Sequence, residues 1–274
     1  MNSFRRQRII GLLLLLVFSA AILWAYFRYT PQFPRLDYFS GALLFSVMVV
    51  LTLYNGRKKL PFLPLGTSEG WLQFHVYAGF LTVVLFLVHI QFRAPRGWFD
   101  IILATLYLLV TVSGIAGLAL TRAIPKRLTT RGGEVLFERI PAIRRHLQAQ
   151  AETLALKTMP ETHSATIADF YVRHLQDFFD GPRNLYLHLL EVRRPLNLLQ
   201  NKINDLDRYL NARERETLDK IALLVRQKDG LDYHQALQLL LRGWLFVHIP
   251  LTYSLMIFSV VHIVLVYAFS GGAR

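Results

Sequence analysis

Two stretches of this chain repeat one spacing of histidines. "GWLQFHVYAGFLTVVLFLVHI" occupies residues 70–90 and "GWLFVHIPLTYSLMIFSVVHI" residues 243–263. Each opens Gly-Trp-Leu, with a His five residues after the glycine and a second His fourteen residues further on; the copies are offset by 173 residues. The four residues are His75 and His89, then His248 and His262. Histidine is costly in so apolar a run, and ionisable groups in membrane spans are usually functional. Fourteen residues of helix advance about 21 Å and nearly complete four turns. Each pair therefore lies on one helix face. If the two segments run parallel, His75 is level with His248 and His89 with His262.

Each level then presents two neutral imidazoles on opposite sides of one plane, which suits the axial positions of a haem iron. Two levels imply two haem b groups, with His75 and His248 on the inner one and His89 and His262 on the outer. An iron with both axial sites filled passes electrons and offers no open position, so no side chain is expected to be catalytic. One zinc or copper ion per segment is excluded, because its ligands must lie within about 2 Å of it. A polar residue bonding across helices is the bland alternative for a lone intramembrane histidine. Matched spacing and flanks in two segments argue against it here.

The elements that must position these residues are hydrophobic helices. Of 274 residues 53% are hydrophobic, and the mean hydropathy is positive, which points to a membrane protein. Five stretches are long and apolar enough to cross a bilayer, at 9–27, 36–54, 71–92, 99–120 and 243–269. The first has arginines ahead of a leucine run but no small-residue cleavage pattern, so it reads as a retained anchor. The expected fold is an all-α integral membrane protein with five transmembrane helices and a four-helix haem-binding bundle. Its expected domains are 1–121 (helices 1–4), 122–241 (a polar helical insert, expected on the cytoplasmic side) and 242–274 (helix 5).

Basic residues set the expected orientation. Arg5, Arg6 and Arg8, then Arg57, Lys58 and Lys59, then Arg122, Lys126, Arg127 and Arg131 fall on one side. Arg28 and Arg35, with Arg93 and Arg96, fall on the other. This places the N-terminus in the cytoplasm and the third and fifth spans parallel, in a bacterial-type inner (plasma) membrane. The net charge of +13 is accounted for by such loops, so membrane lipid rather than nucleic acid is the expected partner. There is no cysteine, which excludes disulfides, thiolate-held iron–sulfur or zinc sites and Cys-x-x-Cys-His haem attachment.

The insert holds 15 of the 18 acidic and 19 of the 31 basic residues. Leu196, Leu199, Ile203, Leu206 and Leu210 form one helical stripe, read first as the insert's own core and second as a docking face. Asn211 with Glu214 reads as a capping box, with Leu218, Ile221 and Leu224 on the face of the helix it starts. Asp229-Gly230 reads as a turn, and Asp232 with Gln235 as the cap of a further helix. Pro125, Pro141, Pro160 and Pro182 are expected to divide the first half. His146, His163, His174, His188 and His234 lack ligand spacing and read as surface or core histidines.

His-x13-His on each of two transmembrane helices resembles the diheme b-type cytochromes. These include the respiratory cytochrome b subunits and the transmembrane domain of the ferric reductase and NADPH oxidase superfamily, whose ligands also sit on the third and fifth spans. The resemblance rests on His75, His89, His248 and His262 and covers the five spans. The oxidase-type proteins usually have a sixth span and a C-terminal flavin and nicotinamide domain; this sequence ends at Arg274, just after the fifth span.

Bis-histidine haems of this kind imply an electron-transfer subunit working between a membrane quinone pool and a partner redox protein. That partner is expected to be a multihaem cytochrome, an iron–sulfur protein or a flavoprotein. No Gly-rich dinucleotide fingerprint is present, so a separate protein is expected to exchange the electrons. Quinone is a further expected cofactor, with Glu69 and Asp100 as candidate proton-exchanging groups. One alternative is a metal or oxygen reductase fed by a separate flavoprotein; another is a non-redox membrane scaffold. Gly79, Gly114 and Gly117 are candidates for close approach of a flat ring or of another helix. Arg57, Lys58, Lys59 and Arg242 on the inner side, and Arg93 and Arg96 on the outer, are candidate propionate partners, with ordinary topology charge as the plainer reading. Trp71 and Trp244 read as interfacial anchors.

Overall fold

A computed structural model describes residues 3–29, 36–57, 67–129, 135–162 and 165–270. Among these every regular element is helical, and five helices are long and apolar enough to cross a membrane. The long helices of the first half are α1 (Ser3–Tyr29), α2 (Leu36–Arg57), α3 (Ser68–His89) and α4 (Trp98–Leu128). A 3₁₀ turn, Phe137–Arg139, leads into α5 (Ile140–Thr162), then α6 (Thr166–Phe170), a π-turn (Tyr171–Leu175), α7 (Gln176–Asp180), α8 (Leu185–Leu189) and α9 (Arg194–Asp207). The last helix, α10, runs from Ala212 to Ser270. Arg35, Lys58, Lys59, Arg131 and His163 lie outside the described residues, as do the side chains of Arg5 and Arg57.

The chain divides into two compact units, Met1–Ala119 with Trp244–Arg274, and Leu120–Gly243. In the first unit α1 and α2 both pack along α3. Leu44 and Met48 of α2, Leu85 of α3, Tyr107 of α4 and Leu255 of α10 form its buried core. Tyr107 stacks on Phe86 at 4.2 Å and donates its hydroxyl to Thr82 at 3.1 Å, and Thr82 in turn donates to the Gly79 carbonyl. A buried phenol is thereby satisfied without water. Outside that core the helices expose apolar side chains, among them Leu13, Leu16, Val17, Val112 and Ile257. Such faces fit a hydrocarbon environment rather than water.

α3 starts at an N-cap, Thr67, whose hydroxyl accepts from the Gly70 amide at 3.2 Å. It ends at His89, three residues earlier than the apolar run suggests, where Gln91 and Phe92 turn left-handed (φ 53° and 55°). Left-handed backbone costs about 1–2 kcal/mol for a residue with a Cβ. Phe92 offsets that by stacking on Phe27 and packing against Tyr26.

In the second unit, the stripe of Leu196, Leu199, Ile203, Leu206 and Leu210 packs into the unit's own core with Ile140, Leu147, Phe179, Leu218 and Ile221. The capping box is present: the Glu214 amide donates to Asn211 Oδ1 at 3.0 Å and the Asn211 amide to Glu214 Oε2 at 2.9 Å. The turn expected at Asp229-Gly230 is absent, and Asp232 caps nothing, because α10 continues unbroken through both. Tertiary partners outweigh the roughly 1 kcal/mol that glycine costs inside a helix. Asp229 faces His188 at 3.7 Å. Asp232 takes the Lys228 ammonium at 2.5 Å and the Arg183 amide at 3.0 Å. Nor do the prolines act uniformly: Pro125 and Pro160 lie inside α4 and α5, Pro141 occupies the first turn of α5, and Pro182 lies between α7 and α8. His188 and His234 are buried.

Candidate functional site

All four repeat histidines belong to the first unit. The repeated Gly-Trp-Leu does not repeat its local structure: it opens α3 at Gly70 but sits in the interior of α10 at Gly243.

At one level His89 and His262 stand ring to ring, with centroids 6.3 Å apart and planes perpendicular. The Nδ1 of His89 lies 3.1 Å from the Asp37 carbonyl. A carbonyl only accepts, so in the neutral ring this nitrogen carries the proton and Nε2 is left as the ligating atom. The Nδ1 of His262 lies 3.7 Å from Asp100 Oδ1, which favours the same tautomer. Phe99 lies nearly parallel to His262 at 6.2 Å and Phe258 backs Phe99 at 5.9 Å, so the ring is held by packing as well. Gly41 is required on α2, because a Cβ there would come within 2.7 Å of His89 Cε1.

At the other level His75 and His248 lie within electrostatic reach of one another. The Nδ1 of His248 is 3.2 Å from Ser113 Oγ. Trp244 stacks on His248 at 5.4 Å and donates its Nε1–H to the Ser113 carbonyl at 2.8 Å. One serine thus fixes two neighbouring rings of α10. Gly117 sits beneath Trp244, where a Cβ would fall 1.8 Å from the indole, so this glycine serves helix–helix approach. Trp244 is accordingly a packed residue as much as an interfacial one, and Trp71 meets Phe74 edge-on.

Two imidazoles on one iron, each nitrogen about 2 Å from the metal, place their ring centres about 6 Å apart. The His89–His262 separation fits that requirement. Partners on Nδ1 are the usual device for orienting metal-ligating histidines. Among the described residues no group of three or more His, Asp or Glu could hold a bare metal ion.

The remaining sequence candidates are dispersed. A Cβ on Gly79 would meet nothing within 4 Å, and one on Gly114 would come 3.8 Å from His248 Cε1. Glu69 lies exposed in the first turn of α3, and Arg93 and Arg96 are exposed beyond its end. Arg242 bonds Glu138 and lies over Phe137 within the second unit. Sequence reasoning missed Asp37, Gly41 and Ser113. Asp37 and Gly41 share a face of α2 at i, i+4 spacing, a weak signal that only the facing His89 makes meaningful. An apolar cavity of about 770 Å³ lies among α1, α2 and α3, lined by Tyr26, Tyr29, Phe39, Ser40, Leu85 and Val88.

Comparison of the chain with family models, with curated proteins and with solved structures finds no significant match.

Proposed function

We propose that this chain is a diheme b-type electron-transfer subunit of an integral membrane complex. It carries electrons across the membrane between the quinone pool and a partner redox protein. The observation that carries the reading is the ring-to-ring stand of His89 and His262 at 6.3 Å with the Nδ1 of each turned to an acceptor. In this reading His75 and His248 hold the inner haem and His89 and His262 the outer, with the N-terminus cytoplasmic. A bound bis-histidine haem supplies one-electron chemistry at a coordinatively closed iron.

The chain's own residues bind, orient and insulate. The Asp37 carbonyl and the Asp100 carboxylate favour the tautomers of His89 and His262, and the Ser113 hydroxyl holds the His248 ring. Leu44, Met48, Leu85, Tyr107 and Leu255 fill the space between the levels and keep water from it. The apolar cavity beside Val88 and Ser40, next in sequence to His89 and Gly41, offers room for a lipophilic quinone. The second unit, with the bulk of the charge, is the candidate docking part for the redox partner.

An absorption spectrum of the purified full-length chain tests the reading. Expected are sharp reduced α-bands of low-spin haem b and two haems per chain. His75→Ala and His248→Ala should remove one haem, and His89→Ala and His262→Ala the other. A chain purified without haem, from haem-replete cells, would sink the proposal in favour of a scaffold. Reduction by a quinol analogue, set against reduction by a flavoprotein, separates the quinone-linked role from a metal or oxygen reductase.

A further inference from the structure

Three of the ligand rings are backed by unlike groups. His89 has the Asp37 carbonyl. His248 has the Ser113 hydroxyl at 3.2 Å. His262 has a carboxylate, Asp100, with Oδ1 at 3.7 Å from Nδ1. We infer that Asp100 is a positioning residue for the His89/His262 centre, holding the His262 ring and setting that centre's reduction potential below that of the His75/His248 centre. The inference rests on the haem reading above.

The physical argument has two parts. A carboxylate on the far ring nitrogen makes an imidazole a stronger donor, which favours the more highly charged iron. Its negative charge, on a half-exposed side chain, acts on the same iron and favours the more highly charged state. Net charge and hydrogen bonding at the ligands are among the levers by which proteins set haem potentials. A hydroxyl behind His248 supplies neither effect to the same degree. Asp100 also lies in the first turn of α4, where a carboxylate favours the helix dipole. A residue with that role alone would leave the potential of either iron where it was. Phe99 and Phe258 keep His262 packed, so a change at Asp100 alters the charge more than the seat of the ring.

The test is a potentiometric titration of haem absorbance in the full-length chain, reconstituted in lipid nanodiscs. The two components are first assigned with His262→Ala and His248→Ala. Asp100→Asn should raise the midpoint of the His89/His262 component alone, Asp100→Glu should hold it near its original value, and Ser113→Ala should leave it in place. An unmoved midpoint in Asp100→Asn with both haems bound overturns the inference, as does an equal shift in both components. If Asp100→Asn loses the His89/His262 haem while Asp100→Glu keeps it, the hold of the carboxylate on His262 is upheld. Loss of that haem in both variants overturns the charge role. A wild-type chain that binds no haem defeats the functional proposal itself, which separates the two failures.

Discussion

The facing polar groups that stand out in the two units pair in opposite ways. In the second unit the buried groups are complementary. Lys228 and Asp232 are both sealed from solvent, pair at 2.5 Å, and draw in the Gly181 carbonyl and the Arg183 amide. Cation meets anion, and donor meets acceptor. In the first unit the facing groups are alike: imidazole stands opposite imidazole. Once Nδ1 of each ring is committed to an acceptor, two Nε2 lone pairs remain, and two acceptors cannot satisfy each other. Complementary pairing completes a fold, whereas facing like groups leave two acceptors open to a third party. That difference separates a structural polar cluster from a binding one more surely than burial alone.

The largest effect that would sharpen this contrast comes from replacing both partners of each pair by apolar residues. Lys228→Met with Asp232→Leu should leave the second unit close to its original stability, since a buried ion pair is commonly replaceable by apolar packing. His89→Leu with His262→Leu should leave the chain folded but remove one of the proposed haems entirely, as read by haem content per chain. If the histidine pair proved as dispensable to haem content as the ion pair is to stability, the comparison would fail. Breaking the ion pair from one side should do the reverse. Lys228→Met alone removes the nearest counter-charge of Asp232, leaving it Arg144 at 3.7 Å and the Arg183 amide, and should cost about 3–5 kcal/mol, measured by denaturant-dependent proteolysis within residues 120–243.

A smaller effect is expected at the Trp244 seat. Gly117→Ala forces the indole to move and should cost about 1–3 kcal/mol, the usual range for overpacking. It should also disturb His248 through its stack on Trp244, so the spectrum of the His75/His248 centre should change while that of the other centre does not. The smallest expected effect is a pH slope. Burial pushes the Lys228 ammonium below its usual value, with Asp232 pulling the other way. The unfolded chain then holds the extra proton between the folded value and about 10.5, so stability should rise with pH across that window. The difference between wild type and Lys228→Met, followed by hydrogen exchange in the second unit, should show the slope in the wild type only.

Much of the secondary structure was legible beforehand. Four of the five apolar runs fall within a long helix and the remaining one, 71–92, does so up to His89, because about 20 apolar residues in a row leave the backbone few other ways to satisfy itself in a bilayer. Asn211 and Glu214 announced their cap because the two bonds they make are local. Asp229-Gly230 misled for the complementary reason. Its turn chemistry is local as well, but His188, Lys228 and Arg183, up to 49 residues away, offer Asp229 and Asp232 better partners than a turn would.

The same division runs through the candidate site. From sequence alone came the four histidines, their heights along two helices and the hypothesis that they serve in pairs, since helical rise per residue turns spacing directly into distance. Tertiary structure alone decided what stands behind each ring. The Asp37 carbonyl, Asp100, Ser113 and the bare face of Gly41 reach their histidines from other helices, at chain separations that no periodicity encodes. Spacing within one helix is fixed by covalent geometry. Contact between helices is fixed by packing, which depends on every side chain at the interface together.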